Sequence, residues 1–136
     1  MLVSEIMTTD PITAAPNDTL RDVMDRMYSE DIRHVPVVDG TQLIGIISDR
    51  DMRSLSLPVS TILNNPGETA KRLEKPVSAV MRGDVQYVEA DADVEGLIDM
   101  MVESKVGAVP VVDPGTETLV GIVSYIDVLL AARSSL

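Results

Sequence analysis

The chain has 136 residues, of which 45% are hydrophobic, and it contains no Cys, Phe or Trp. A chain of this length can bury a real core, which must here be built from Val, Ile, Leu and the eight Met. The absence of cysteine excludes disulfides and thiolate metal sites. Eleven Lys and Arg stand against 22 Asp and Glu, and the resulting formal charge of −11 disfavours nucleic acid and anionic membranes as partners.

The segment at residues 2–7 is too short and too polar for a signal peptide. No apolar run approaches the ~20 residues that a membrane span requires. The lack of cysteine also fits a reducing compartment. We therefore expect a cytoplasmic protein.

The first half of the chain predicts two helices around a strand pair. A short helical turn opens it, with Ser4 as N-cap. Four apolar residues at i, i+3, i+4 and i+7 then predict one apolar helix face, namely Leu20, Val23, Met24 and Met27. The β-branched runs Val35–Val38 and Leu43–Ile47 flank an Asp-Gly turn and predict a hairpin. Ser48 should cap a further helix over residues 49–54.

The second half predicts the same succession of elements. Its first helix has apolar residues at the same spacing, namely Val94, Leu97, Ile98 and Met101. Val109–Val112 and Leu119–Val123 are the paired strands. The last helix, Ile126–Arg133, is more apolar than its counterpart in the first half. Its apolar face would pack either on its own core or on a partner helix.

Two motifs occur twice, so the chain is a tandem repeat. Gly45-Ile46-Ile47-Ser48-Asp49-Arg50-Asp51 and Gly121-Ile122-Val123-Ser124-Tyr125-Ile126-Asp127 share the pattern glycine, two apolar residues, serine, two variable residues and aspartate. Each follows a proline-containing apolar run, His34–Asp39 or Ala108–Asp113. We predict one repeat over residues 1–54 and a second over residues 77–136. Periodicity fades over residues 55–76, which predicts a linker.

The Ser-x-x-Asp spacing has two interpretations. As a capping box, Ser48 and Ser124 would accept hydrogen bonds from helical N–H groups, while Asp51 and Asp127 would bond back to the cap. As a ligand site, the helix N-terminus and serine would hold phosphate, and the carboxylate would accept hydrogen bonds from ribose hydroxyls. Spacing alone is explained by the capping box, whereas two copies in a duplicated frame favour a nucleotide site.

These repeated motifs, with the Val-Ser-x-x-Met openings at Val3 and Val77, resemble a pair of cystathionine-β-synthase (CBS) domains, known together as a Bateman module. The resemblance covers essentially the whole chain. It implies an α/β (α+β) fold of two β-α-β-β-α repeats packed through their sheets with pseudo-two-fold symmetry. It also implies two clefts for adenine nucleotides or S-adenosylmethionine, bound as regulatory ligands rather than catalytic cofactors, and a disc-like homodimer.

The resemblance also implies which residues line the two clefts. One would combine the second motif, through Ile122, Ser124 and Asp127, with Met7, Pro11 and Ile12, which would hold the base, and with Ile32 and Arg33. The other would combine Ser48, Arg50 and Asp51 with Val85, Gln86, Val106 and Gly107.

Some of these positions leave alternatives open. Arg33 and His34 occupy positions that contact phosphate in related nucleotide sensors, and His34 could serve either cleft. Arg50 is either a ligand contact or a solvated helix residue paired with a neighbouring aspartate. Gln86 departs from the usual apolar residue against the base, which argues against tight adenine binding in the Asp51 cleft.

We predict a regulatory module that senses an adenosine-containing ligand (AMP, ADP, ATP or S-adenosylmethionine) and signals to a partner protein. The alternative is a ligand-independent assembly module, in which the motifs only cap helices and the last helix forms a dimer through Leu129 and Leu130. We do not expect an enzyme, because the sequence offers a single histidine, His34, and no metal-ligand set.

Overall fold

The computed structural model describes residues 1–53 and 63–136. Its helices are α1 (Leu20–Glu30), α2 (Asp49–Arg53), α3 (Pro66–Leu73), α4 (Val94–Ser104) and α5 (Tyr125–Ser134). Its strands are β1 (Thr8–Thr9), β2 (His34–Asp39), β3 (Gln42–Ser48), β4 (Val88–Glu89), β5 (Ala108–Val112) and β6 (Leu119–Ser124). The predicted α/β class is confirmed. Ser54, the predicted end of α2, and residues 55–62 of the predicted linker lie outside the described residues.

The chain forms two compact units, named here after the motif aspartate that each contains. The Asp127 unit comprises residues 1–11, 41–43 and 86–136, and the Asp51 unit comprises residues 12–40 and 44–85. Each repeat's opening segment thus belongs to the unit that holds the other repeat's motif. The repeats of the sequence and the units of the fold therefore do not coincide.

Backbone hydrogen bonds hold each opening segment in its unit in the same way. In the Asp127 unit, the Val3 N–H donates to the Ala92 carbonyl at 2.8 Å. In the Asp51 unit, the Val77 N–H donates to the Asp18 carbonyl at 2.8 Å. Val3 and Val77 are both fully buried, so each opening segment also contributes to its unit's core.

The Asp127 unit is built on a four-stranded sheet of order β1-β6-β5-β4. Strand β4 runs parallel to β5, and the other pairs are antiparallel. β1 pairs with β6 in the register Thr8 opposite Ile122 and Thr9 opposite Gly121. The core beneath the sheet is one cluster of apolar side chains, namely Val3, Val88, Leu97, Val109, Val111 and Val123.

The Asp51 unit contains β2 and residues 44–48 of β3, and the turn of this hairpin uses Gly40 at φ +65°. This left-handed conformation favours glycine. Helix α1 is capped by Thr19, whose hydroxyl accepts from the Asp22 N–H at 3.2 Å. The core of the Asp51 unit is a second apolar cluster, formed by Ala14, Leu20, Val23, Met27, Val35, Val37, Ile47, Met52 and Val77.

Three local predictions are wrong. Ser4 is not an N-cap, because the opening 3₁₀ turn begins at Val3 and the Glu5 carboxylate accepts the Leu2 N–H. Met24 and Ile98 are exposed, so each helix buries a narrower stripe than the apolar pattern predicts. The predicted linker also includes helix α3, which the sequence did not predict because only Ala70 and Leu73 of its eight residues are hydrophobic.

A glycine in each repeat allows the chain to approach the sheet closely. A Cβ built on Gly45 would lie 2.6 Å from the Met81 sulfur and 3.0 Å from the Arg82 carbonyl oxygen. A Cβ on Gly121 would lie 2.6 Å from the Met7 sulfur and 2.8 Å from a backbone oxygen. A methionine end can move, but the backbone cannot easily move. Each motif therefore begins with glycine because the opening segment lies directly against it.

We expect Gly121→Ala to lower the free energy of unfolding by about 1–3 kcal/mol, since the added methyl group overpacks against backbone. Gly96→Ala is the control, because Gly96 lies within α4 and an added Cβ meets nothing within 4 Å. That change should be neutral or stabilise by up to about 1 kcal/mol. Urea unfolding measures both, and equal effects would contradict the close approach.

Candidate ligand sites

The first motif forms a reciprocal cap at the start of α2. The Asp51 N–H donates to Ser48 Oγ at 3.2 Å. In return, Asp51 Oδ2 accepts from the Ser48 N–H at 2.9 Å and from the Ser48 hydroxyl at 2.9 Å. The predicted capping geometry is therefore present, and its bonds to the carboxylate all use Oδ2.

The second motif forms the same cap at the start of α5. The Asp127 N–H donates to Ser124 Oγ at 3.3 Å. Asp127 Oδ2 accepts from the Ser124 N–H at 2.8 Å and from the Ser124 hydroxyl at 3.2 Å. None of these capping bonds involves Oδ1, so the cap orients the carboxylate without occupying its second oxygen.

The two carboxylates differ in the neighbour of Oδ1. In the Asp51 unit, Arg82 Nε lies 3.3 Å from Asp51 Oδ1. The Asp51 side chain is 13% exposed and that of Arg82 is 62% exposed, so the pair lies at the unit's surface. Sequence reasoning missed Arg82. The available signal was its position immediately after the Met of the second opening motif, where the first opening motif has Thr8.

In each repeat, the residue just before the first strand of the hairpin is hydrogen-bonded to the residue that follows the motif serine. The Asp49 N–H donates to the Arg33 carbonyl at 2.8 Å in the Asp51 unit. The Tyr125 N–H donates to the Gly107 carbonyl at 2.9 Å in the Asp127 unit. Positions 33 and 107, predicted to line clefts, therefore lie beside the Ser-x-x-Asp motif of the same repeat.

His34 is half-buried in the Asp51 unit. Burial lowers the pKa of its imidazole below the ordinary 6.5, and the positive charge of Arg33 acts in the same direction. The negative charges of Asp51 and Asp49 oppose that shift but do not cancel it. His34 is therefore mainly neutral near pH 7 and lies close enough to Asp51 to interact with its charge.

The sixteen predicted site residues divide equally between the units. The Asp127 unit holds Met7, Pro11, Gln86, Val106, Gly107, Ile122, Ser124 and Asp127. The Asp51 unit holds Ile12, Ile32, Arg33, His34, Ser48, Arg50, Asp51 and Val85. Each cleft implied by the resemblance draws on both sets, and that combination stays a prediction.

Within residues 1–53 and 63–136, no group of three or more His, Asp or Glu is placed to hold a metal ion. In the same part of the chain, no helix combines the length and apolarity needed to cross a membrane. His34 is the single histidine of the sequence.

The lowered pKa of His34 predicts a pH-dependent stability. Because the imidazole binds a proton more readily in the unfolded chain, the free energy of unfolding should fall as pH drops below about 6.5. It should level off once the pH is below the folded-state pKa. His34→Gln should remove this slope, since no other histidine titrates in this range.

Urea unfolding at several pH values between about 7.5 and 5 measures the slope, before most carboxylates begin to protonate. An unchanged slope in His34→Gln would mean that another group is responsible.

Comparison with known proteins gives a consistent family relationship. A family model described as the CBS domain matches residues 3–57 and 77–134. Inosine-5'-monophosphate dehydrogenase of Methanocaldococcus jannaschii is 29% identical over 126 residues, which are 92% of this chain but 22% of the dehydrogenase. The CBS domain-containing protein YhcV of Bacillus subtilis is 28% identical over 133 residues, covering 98% of this chain and 86% of YhcV.

A solved structure resembles the chain over its whole length. The CBS domain pair of protein MJ0100, crystallised in complex with 5'-methylthioadenosine and S-adenosyl-L-methionine, has a TM-score of 0.79 and 26% sequence identity. The match covers 100% of this chain and 98% of that one.

Proposed function

The chain belongs to the CBS domain family, and we propose that it binds an adenosine-containing ligand at its Ser-x-x-Asp sites and signals occupancy to a partner protein. The ligand is a nucleotide such as AMP, ADP or ATP, or S-adenosylmethionine. On this proposal the chain regulates by binding rather than by catalysis.

The observation that carries the proposal is the division of work within the Asp127 carboxylate. Oδ2 accepts the capping bonds from Ser124, while Oδ1 lies outside the cap. A ribose hydroxyl is a hydrogen-bond donor, and a carboxylate oxygen is a strong acceptor. The cap also fixes the side chain in one orientation, which reduces the entropy lost when a ligand binds. Capping and ligand binding are therefore compatible roles.

The nature of the ligand is supported by the MJ0100 domain pair, whose two named ligands both contain an adenosyl group. That protein is similar over the full length of this chain. From this similarity we propose only that the ligand contains adenosine. Whether the ribose also carries a phosphate depends on the charged side chains near each site.

A thermal-shift experiment with AMP, ADP, ATP and S-adenosylmethionine tests ligand binding. At 100 times its dissociation constant, a ligand should stabilise the fold by about 2.7 kcal/mol per site, which moves the melting temperature by several degrees. An Asp51→Ala, Asp127→Ala double variant should lose this shift.

The matched control for that experiment is Thr19→Ala, which removes the hydroxyl that caps α1 but leaves both Ser-x-x-Asp motifs intact. It should melt lower without ligand, because a lost cap costs about 1 kcal/mol. It should nevertheless retain most of the ligand-induced shift. No shift for any ligand in the unsubstituted protein would reject the proposal.

Exposed apolar side chains on α5 favour an additional role in assembly. Leu129 is 59% exposed and Leu130 is 45% exposed, and α5 has no buried residue. Val128 packs against the core of the Asp127 unit, so only part of this apolar helix is used internally. We propose that the remaining face joins two copies of the chain as a homodimer, as the family resemblance implies.

Leu129→Glu should weaken this dimer at least about tenfold. The variant loses the burial of a leucine side chain, which is worth about 1.5–3 kcal/mol, and places a charge in the interface instead. Tyr28→Glu is the control, because Tyr28 is an apolar side chain that is also exposed, at 91%, but lies on α1 rather than on α5. Sedimentation equilibrium measures both dissociation constants. Dimers that both variants leave intact would reject α5 as the interface.

A further inference from the structure

We propose that Arg82 gives the Asp51 site a preference for phosphorylated adenosine that Thr8, in the equivalent position, does not give the Asp127 site. This inference rests on the proposed function and deepens it by assigning Arg82 a role in ligand selectivity.

The equivalence of Arg82 and Thr8 is a matter of backbone register. The Arg82 N–H donates to the Ile46 carbonyl at 2.9 Å, and the Ile46 N–H donates to the Arg82 carbonyl at 3.1 Å. In the Asp127 unit, Thr8 pairs with Ile122 in the same antiparallel manner. Ile46 and Ile122 are each the second residue of their motif. The two units therefore present different side chains from the same backbone position.

The side chain at this position decides the charge next to the motif carboxylate. Arg82 Nε lies 3.3 Å from Asp51 Oδ1, so the guanidinium contacts the carboxylate through one edge. Guanidinium carries five N–H donors in a planar fork, and a single contact cannot use all of them. With 62% of its side chain exposed, Arg82 can hold Asp51 and donate to a phosphate at the same time.

A threonine at this position cannot do the same. The Thr8 hydroxyl is neutral, so the Asp127 site has no cation from this segment to offset the charge of a phosphate. The whole chain carries a formal charge of −11, which repels an approaching anion. Phosphate binding on this protein therefore needs a local cation, and Arg82 supplies one beside Asp51.

The two motifs also differ in positive charge, and the first motif again has more of it. The first motif has Arg50 before its aspartate and Arg53 two residues after it, and Arg53 pairs with Asp49 at 3.6 Å. The second motif has Ile126 and Leu129 at those positions. The difference at Arg82 and Thr8 thus belongs to a wider contrast between a charged and an apolar motif.

Isothermal titration with AMP and with adenosine tests the inference, because these two ligands differ only in the phosphate. Asp127→Ala removes one site, so binding in this variant reports the Asp51 site. Adding Arg82→Thr should weaken AMP binding about tenfold, which corresponds to the loss of one charge-assisted hydrogen bond. Adenosine affinity should change less than about twofold, and Arg82→Lys should retain part of the AMP preference.

The reciprocal change provides an independent arm. In an Asp51→Ala variant, which reports the Asp127 site, Thr8→Arg should strengthen AMP binding relative to adenosine. Because Thr8 and Arg82 are both exposed, neither exchange disturbs the core, and circular dichroism of each variant checks the fold.

The possible outcomes separate the inference from the proposed function. If both ligands bind and Arg82→Thr weakens them equally, Arg82 only orients Asp51 and the selectivity inference is wrong. If neither ligand binds the unsubstituted protein, the proposed function and the inference both fail. A fall in AMP affinity alone, together with its weakening by added salt, supports the inference.

Discussion

The candidate sites depend on the close approach of each opening segment to the motif glycine of its unit. Only a glycine lets the backbone after Met7 and Met81 lie against the sheet at this distance. That approach brings residue 8 and residue 82 into register with the strands that lead to the caps. The residue that pairs with the second residue of each motif therefore comes from the other repeat. Loss of either glycine would shift residue 8 or residue 82 as well as destabilise a core.

The exchange of opening segments also links folding to the sites. Val3 and Val77 are buried in units whose motifs come from the opposite halves of the sequence. Neither repeat of the sequence can then complete a core alone, which agrees with the marginal stability expected for about 60 residues. Duplication kept one backbone plan in both units. It also allowed their polar residues to diverge, as Arg82 and Thr8 illustrate.

Four of the described strands and helix α1 could be predicted from local sequence, because β-branched runs favour strands and regularly spaced apolar residues favour a helix. The β-branched runs gave β2, β3, β5 and β6 to within about one residue, and apolar spacing gave α1. Helix α3 could not be found this way, because only Ala70 and Leu73 of its eight residues are hydrophobic. The caps followed from the Ser-x-x-Asp spacing. The Arg82–Asp51 ion pair joins residues distant in sequence, so only the register between an opening segment and β3 reveals it.

In the proposed ligand site of the Asp127 unit, Asp127 uses Oδ2 to cap α5 and Oδ1 to accept a hydrogen bond from a ribose hydroxyl. A crystal structure with 5'-methylthioadenosine tests this proposal most directly. We expect a ribose hydroxyl within hydrogen-bonding distance of Asp127 Oδ1, about 2.5–3.0 Å, with the Ser124 cap on Oδ2 unchanged. A ligand bound away from Asp127, or a cap broken to free Oδ2, would contradict this division of roles.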